Sequence, residues 1–357
     1  MIDLFPLFRP FVHSFDAEDA HKLTIAALKV GLNGKMGRSK DPENLKTSVF
    51  GLSFGNPVGL AAGFDKNAEV LAATGNLGFG FTEAGTVTPE PQYGNERPRL
   101  FRLQEDKAVI NRFGFNNEGL DYFARGLKKL KPGGRKPFGA NVGANKATED
   151  KTDDYVKGIH ALYGLADYFT VNISSPNTPG LRSLQSAEAL TDLIERVLAA
   201  RTEQMHSGKA YMPILVKIAP DLTQDDINDI CAIAVSHKLD GLIVSNTTIV
   251  RAAGLESSHR NEMGGLSGAP LMEPSTEILG KIYKETNGKI PLVGVGGIAN
   301  GADAYRKIRA GASLVQLYSA MVYQGPGLVN RIKRELSALL KQDGYQRVAD
   351  AVGADQK

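Results

Sequence analysis

The residues best suited to chemistry gather in the stretch VNISSPNTPG, residues 171–180. A β-branched run ends at Asn172 and gives way to Ser174, Ser175, Pro176, Asn177, Thr178, Pro179 and Gly180. A plain turn uses two or three such residues. This run has seven, and it reads as the start of a catalytic loop. Two lysines, Lys66 in AAGFDKN and Lys217 in ILVKIAP, stand at apolar strand ends and call for anions. Asp65 or Glu83 would serve as a plain ion-pair partner for either lysine, more readily for Lys66. Lys217 has no acid next to it, and a fixed cation there would stabilise the anion of a reduced flavin ring. Asn111, Asn116, Asn117, Asn141, Asn172, Asn177 and Asn246 form a set of amides. Amides donate and accept together, so several of them match the edge of a small uracil-like ring. Asn116 and Asn117 have a simpler alternative, capping the helix that follows, and for Asn117 capping is the preferred reading.

The elements that must position these groups alternate in type. Eight short apolar or glycine-rich runs read as strands: 57–63, 79–87, 137–143, 168–174, 213–219, 241–247, 291–297 and 313–319. Helical segments such as 186–200 and 224–237 lie between them. Eight βα units of parallel type predict a TIM (β/α)8 barrel, an α/β fold. A doubly wound sheet would rarely need eight consecutive units. SVFGLSFGN (48–56) reads as a hairpin closing the barrel bottom, and RLFRLQEDKAVINRFG (99–114) as a hairpin inserted after the second strand.

Active sites of this fold sit at the C-terminal strand ends. In order these ends carry Asp65 and Lys66; Glu83 and Thr86; Asn141; Asn172 with Ser175 and Asn177; Lys217; Ser245, Asn246 and Thr247; Gly296 and Gly297; and Tyr318 with Ser319. One polar end means little, but eight converging on one mouth make a site. VGVGGIANG (293–301) and QLYSA (316–320) follow the last two strands, where the fold usually binds phosphate. Glycines there let backbone N–H groups approach an anion. The string is not a dinucleotide fingerprint, because no early βαβ unit or ribose-binding acid accompanies it.

Composition narrows the class. Lys and Arg number 42 against 39 Asp and Glu, a net charge of +3, which is too small to argue for nucleic acid. The dense basic run KKLKPGGRK (128–136) reads as a solvated loop after a helix. The single cysteine, Cys231, excludes an internal disulfide and sits at an apolar helical position, as a core residue does. The histidines form no metal-spaced group, so no metal is expected. No signal peptide and no uninterrupted apolar run of about 18 residues is present.

The N-terminus is separate in character. Leu4, Phe8, Phe11 and Phe15 fall on one helical face, with Pro10 as a possible kink. Asp16 then caps a second helix, whose apolar stripe is Leu23, Ala26, Ala27 and Val30. Either these faces pack on the barrel, or they form a lid dipping into a bilayer interface. The density of Leu and Phe favours the lid. The chain thus divides into residues 1–45 (amphipathic helices), 46–340 (barrel) and a motif-free C-terminal tail, 341–357.

Eleven motifs then occur in order: AAGFDKN (61–67), EAGTVTP (83–89), RPRLFRL (97–103), INRFGFNN (110–117), NVGANK (141–146), VNISSPNTPGLR (171–182), VKIAPDL (216–222), SNTT (245–248), GGLSG (264–268), GVGGI (294–298) and GASLVQLYS (311–319). From about residue 3 to about 335 the chain resembles dihydroorotate dehydrogenase of the quinone-dependent class. The resemblance implies an FMN-containing barrel that oxidises dihydroorotate to orotate in pyrimidine (UMP) biosynthesis and passes electrons to a membrane quinone. Ser175 would be the base at C5 of the substrate. Lys66, the run Asn111, Arg112, Phe113, Gly114 and Phe115, and Asn172, Asn177, Asn246 and Thr247 would hold the substrate. Ala62, Gly63, Phe64, Asp65, Lys66, Thr86, Asn141, Asn172, Lys217, Ser245, Gly268, Gly297, Tyr318 and Ser319 would hold FMN.

By the same resemblance, His21 and Arg102 line a quinone tunnel and the N-terminal helices form its lid. Without it, His21 reads as a helix-surface histidine. The soluble classes usually place Cys where Ser175 stands, in agreement with the quinone class. Phe64 stands where some members have Leu, and Ser245 where some have Thr. The implied location is peripheral, on the cytoplasmic face of the cell membrane. Two other readings compete with this one. An FMN barrel acting on uracil in tRNA would need a basic face that the net charge does not supply. A non-catalytic, membrane-docked scaffold would not need polar groups at all eight strand ends.

Overall fold

The protein is described from a computed structural model covering residues 5–31, 40–130 and 136–356. Leu4 of the first apolar stripe and residues 131–135 of the basic run lie outside the described residues.

Eight parallel strands close into a barrel in sequential order. They are β1 (Val58–Asp65), β2 (Phe81–Val87), β3 (Phe138–Val142), β4 (Tyr168–Asn172), β5 (Ile214–Ile218), β6 (Gly241–Val244), β7 (Leu292–Val295) and β8 (Ala312–Leu317). β8 pairs back onto β1 with Val315 opposite Val58. Every expected strand exists, with ends that differ by up to three residues.

Side chains alternate across the barrel wall with the strand period of two. Ala61, Phe81, Tyr168, Leu215, Ile243, Val293 and Leu314 form the interior cluster. Their neighbours, including Leu60, Ala140, Phe169, Val216, Leu242, Leu292 and Val315, pack outward within the main core. Each fully buried aliphatic or Phe side chain contributes roughly 1.5–3 kcal/mol. Gly59 and Gly139 make room for this filling. A Cβ at either would lie 2.3 Å from the ring of Phe81 or Tyr168. The predicted hairpin, Thr47–Val49 with Leu52–Phe54, sets Phe54 against Phe81 and Phe50 against Tyr168, and so closes the bottom of the barrel.

The second hairpin, Leu100–Leu103 with Ala108–Asn111, also forms. It gains a third strand, Gly265–Gly268, paired antiparallel to Ala108–Asn111. That strand was not anticipated, because GGLSG has no β-branched residue and no alternation.

Two helices precede the barrel. α1 (Phe5–Ser14) contains Pro10 without ending there, and α2 (Ala17–Lys29) is capped by the Asp16 carboxylate, which accepts from the amides of Glu18 and Asp19. Phe8, Phe11, Phe15, Leu23 and Val30 are 59%, 64%, 40%, 52% and 75% exposed, so the apolar stripe faces away from the barrel. The inner faces are tied down by polar contacts. The Arg102 guanidinium donates to the carbonyls of Val12, His13 and Phe15 at the end of α1. Glu18 of α2 is buried between Arg97 and Arg99 at 3.1 and 2.8 Å. No described helix is long and apolar enough to cross a membrane. At the other end, helix Leu328–Gln342 leads into two short 3-10 turns, with Val348 and Ala351 fully buried.

Candidate active site

One cavity of about 980 Å³ runs from between α1 and α2 to the barrel mouth. The strand ends fix what enters it. In-register pairing sets Asn172 of β4 opposite Lys217 of β5. From Glu83 upward the polar groups form a continuous network. Fully buried Glu83 accepts from Asn141 at 2.7 Å, Gln316 at 2.9 Å, Thr170 at 3.1 Å and Tyr168 at 3.3 Å. The Thr86 hydroxyl donates to Asn141 Oδ1 at 2.5 Å and accepts from Asn172 Nδ2 at 2.8 Å. Asn246 Nδ2 donates to Ser174 Oγ at 3.1 Å and weakly to Asn172 Oδ1 at 3.4 Å. Among its described members only Gln316 Oε1 lacks a partner, and the remaining hydrogen bonds hold the amides in single orientations.

The loop after β4 folds over this network. Ser175 is buried beside the cavity, and its Oγ accepts the Asn177 amide at 3.3 Å. Asn177 Nδ2 reaches across to the Asn111 carbonyl at 3.1 Å, and the Asn177 carbonyl accepts from Asn95 Nδ2 at 3.2 Å. The loop therefore lies closed against the inserted hairpin. Lys66 lies 4.3 Å above the Phe113 ring. Burial, only partly offset by Glu18, brings its pKa down to about 8. Lys217 is buried and lines the cavity, and burial lowers its pKa despite the opposing charge of Glu83. No acceptor among the described residues takes a hydrogen bond from its ammonium, and the opposite charge acting on it is that of buried Glu83.

Across the mouth, Gly296 and Gly297 adopt φ values of +114° and +77°. A Cβ on Gly297 would sit 2.4 Å from Met272 Cα, so only glycine fits there. Ser319, at the start of the helix after β8, shares a 2.8 Å hydrogen bond with Ser267. At the outer end of the cavity His21 faces inward, edge-on to Phe64, with Nδ1 3.3 Å from the Tyr318 hydroxyl. Burial, with the charge of Lys66, pushes its pKa down to about 3. A surface position for His21 is thereby corrected.

Of the residues singled out from sequence, Ser175, Lys66, Asn111, Phe113, Gly114, Phe115, Asn172, Asn177, Asn246 and Thr247 line the cavity. So do Ala62, Gly63, Phe64, Thr86, Lys217, Ser245, Gly268, Gly297, Tyr318 and Ser319, with His21 and Arg102 at the outer end. Three stand outside it. Asp65 turns away and accepts the amides of Glu69 and Val70, both at 2.8 Å. Arg112 points outward to Glu262 at 2.7 Å and stacks on Phe101, because alternation puts its neighbours Asn111 and Phe113 inside. Asn141 lies one layer below, joined to the cavity through Thr86. Asn117 is not the N-cap of the next helix, which is Glu118 without a side-chain cap; it stands one residue earlier, and its Oδ1 accepts from Gly119 N at 2.8 Å. No group of His, Cys, Asp and Glu among the described residues could hold a metal.

Comparison with known proteins gives one answer. The model of the dihydroorotate dehydrogenase family matches residues 44–340. The dihydroorotate dehydrogenase (quinone) of Azorhizobium caulinodans is 55% identical over 355 residues, covering 99% of both chains. That of Rhodospirillum rubrum is 52% identical, covering 100% of this chain and 96% of its own. The crystal structure of the Eimeria tenella dihydroorotate dehydrogenase in complex with ferulenol superposes with a TM-score of 0.92 at 41% identity, covering 96% of each chain. The ligand-free form from the same organism gives 0.90 at 43% identity, over 96% of this chain and all of that one.

Proposed function

The chain belongs to the dihydroorotate dehydrogenase family, in its quinone-dependent class, and on that premise we propose how its residues divide the work. It is an oxidoreductase that converts dihydroorotate to orotate in pyrimidine biosynthesis, with a flavin as cofactor and a quinone as electron acceptor.

The flavin is FMN. Bound in this cavity, it would supply acceptance of the hydride from C6 of dihydroorotate and passage of the two electrons on to the quinone. The cavity suits it: the Lys217 ammonium would hold the ring when it carries negative charge, and the Gly296–Gly297 turn leaves a glycine-lined cradle of the kind phosphates occupy. Ser175 takes the proton from C5. A serine hydroxyl is a weak base, so it needs close placement and a dry site, and the closed loop supports both. Lys66 holds the substrate carboxylate, while Asn111, Asn172, Asn177 and Asn246 meet the ring amides. The observation that carries this reading is a single cavity joining serine, two lysines and four amides to a channel between α1 and α2.

The quinone enters past His21 and Arg102. The exposed Phe8, Phe11 and Phe15 of the N-terminal helices seat the enzyme peripherally on the cytoplasmic face of the membrane.

The test is anaerobic mixing of the purified protein with dihydroorotate, followed by mass analysis of the released chromophore. Bleaching of the flavin absorbance and a chromophore of FMN mass are expected. A protein that stays yellow would refute the substrate cage, and a different chromophore mass would refute FMN.

A further inference from the structure

Arg182 stands outside the cavity, on a one-turn 3-10 helix, Arg182–Gln185, at the end of the serine loop. Its planar guanidinium is used in three directions. Nε donates to the Ser174 carbonyl at 3.2 Å, Nη2 to the Thr247 carbonyl at 3.0 Å, and Nη1 to Asp221 Oδ2 at 2.8 Å. Asp221, after β5, also accepts from the Thr248 hydroxyl and from the Ile249 amide at 3.1 Å. The pair is largely shielded, with side-chain exposures of 23% and 14%. Three successive loops, after β4, β5 and β6, are therefore joined through one ion pair. Beside it, Gln185 Oε1 accepts the Ala219 amide at 2.9 Å and ties the same turn to the end of β5.

We propose that Arg182 is the positioning residue of the catalytic serine, its guanidinium bridging the carbonyl that precedes Ser175 to the carbonyl of Thr247 in the substrate cage, with Asp221 as its counter-ion. The inference rests on the reading of Ser175 as the C5 base. The only hydrogen bond to the Ser175 hydroxyl within the described protein comes from the Asn177 amide two residues on, in the same loop. That contact cannot set where the loop stands relative to the substrate. Arg182 can, because its other ends grip the neighbouring loops. The geometry asks for arginine: two carbonyls and a carboxylate lie along separate N–H directions of one plane, which a lysine ammonium cannot span. Removing the guanidinium would also leave the Asp221 carboxylate without its cation.

The test uses the flavin-loaded native chain with Arg182→Met, Arg182→Lys and Asp221→Asn. Anaerobic flavin bleaching by dihydroorotate is followed beside quinone oxidation of the pre-reduced enzyme, flavin content and melting temperature. Arg182→Met is expected to bleach about 10²-fold slower, the loss that displacement of a reacting group by about 1 Å brings. Flavin content and quinone oxidation should stay native. The deuterium isotope effect at substrate C5 should grow, since proton removal becomes the slow step. Arg182→Lys should recover part of the rate. Asp221→Asn, which keeps the side-chain volume, should fall in between and carries the test if Arg182→Met loses its flavin. Native bleaching in both Arg182→Met and Asp221→Asn would overturn the proposal. So would equal losses in both half-reactions with an unchanged isotope effect, the pattern of mere loosening of the fold. A native chain that does not bleach would instead refute the reading of the site.

Discussion

The Tyr318 hydroxyl, just past β8, and His21 Nδ1, on α2, lie 3.3 Å apart, and they join the barrel to the helices in front of it. His21 is held neutral, because burial and the Lys66 charge lower its pKa to about 3. A histidine that titrated normally would impose a break near pH 6.5. His21 should therefore contribute no break of its own to quinone oxidation of the reduced enzyme between about pH 5 and pH 8, so that the profiles of the native chain and His21→Ala have the same shape there. His21→Ala should slow that step and leave bleaching by dihydroorotate unchanged. Stopped-flow measurement of the two half-reactions checks both outcomes.

Ser175→Ala should retain flavin and the orotate-induced change in its spectrum, while bleaching by dihydroorotate falls by about 10²–10⁴-fold, the usual share of a general base. Bleaching at the native rate would remove Ser175 from the chemistry.

Lys66 gives a pH signature. Its lowered pKa, about 8, means that the free enzyme carries this cation below pH 8 and loses it above. Orotate affinity, read by spectral titration, should be full below that value and fall as pH rises through it. Lys66→Met should bind weakly at all pH values without the break. The loss at low pH should be about tenfold or more, as for a hydrogen bond to a charged group.

Lys217→Ala should leave the barrel folded but weaken flavin retention, measured as flavin released on dilution or dialysis. The buried ammonium makes no hydrogen bond within the described protein, where only the charge of Glu83 opposes its burial, so a bound ligand supplies the missing acceptor.

Phe8→Ser with Phe11→Ser removes apolar surface that is more than half exposed. Sedimentation with anionic lipid vesicles should weaken, and turnover with a long-tailed quinone should fall. Turnover with a short, water-soluble quinone should persist. Equal binding to vesicles would detach the membrane role from α1.

The barrel was legible in the chain itself. Alternation along each strand and the glycines that admit Phe81 and Tyr168 are local properties, and eight such runs leave few architectures. The strand-end rule then places Ser175, Lys217 and the amides at one mouth without any distance being known. The same alternation separates Asn111 and Phe113 from Arg112, a distinction available from sequence but obscured by treating the motif as a block. Other features follow from no spacing rule. Asp65 and Lys66 are neighbours, yet one caps a turn and the other faces the cavity, because local hydrogen bonds outbid the ligand site for the carboxylate. Glu18 meets Arg99 across 81 residues, and Arg182 meets Asp221 and Thr247 across 39 and 65. The periodicity of the N-terminal stripe fits packing or exposure alike; its density of Leu and Phe only leans toward exposure, and the polar contacts of Arg102 and Glu18 turn it outward. Periodicity is set within an element; the choice of partner is made only when loops distant in the chain close over the same strand ends.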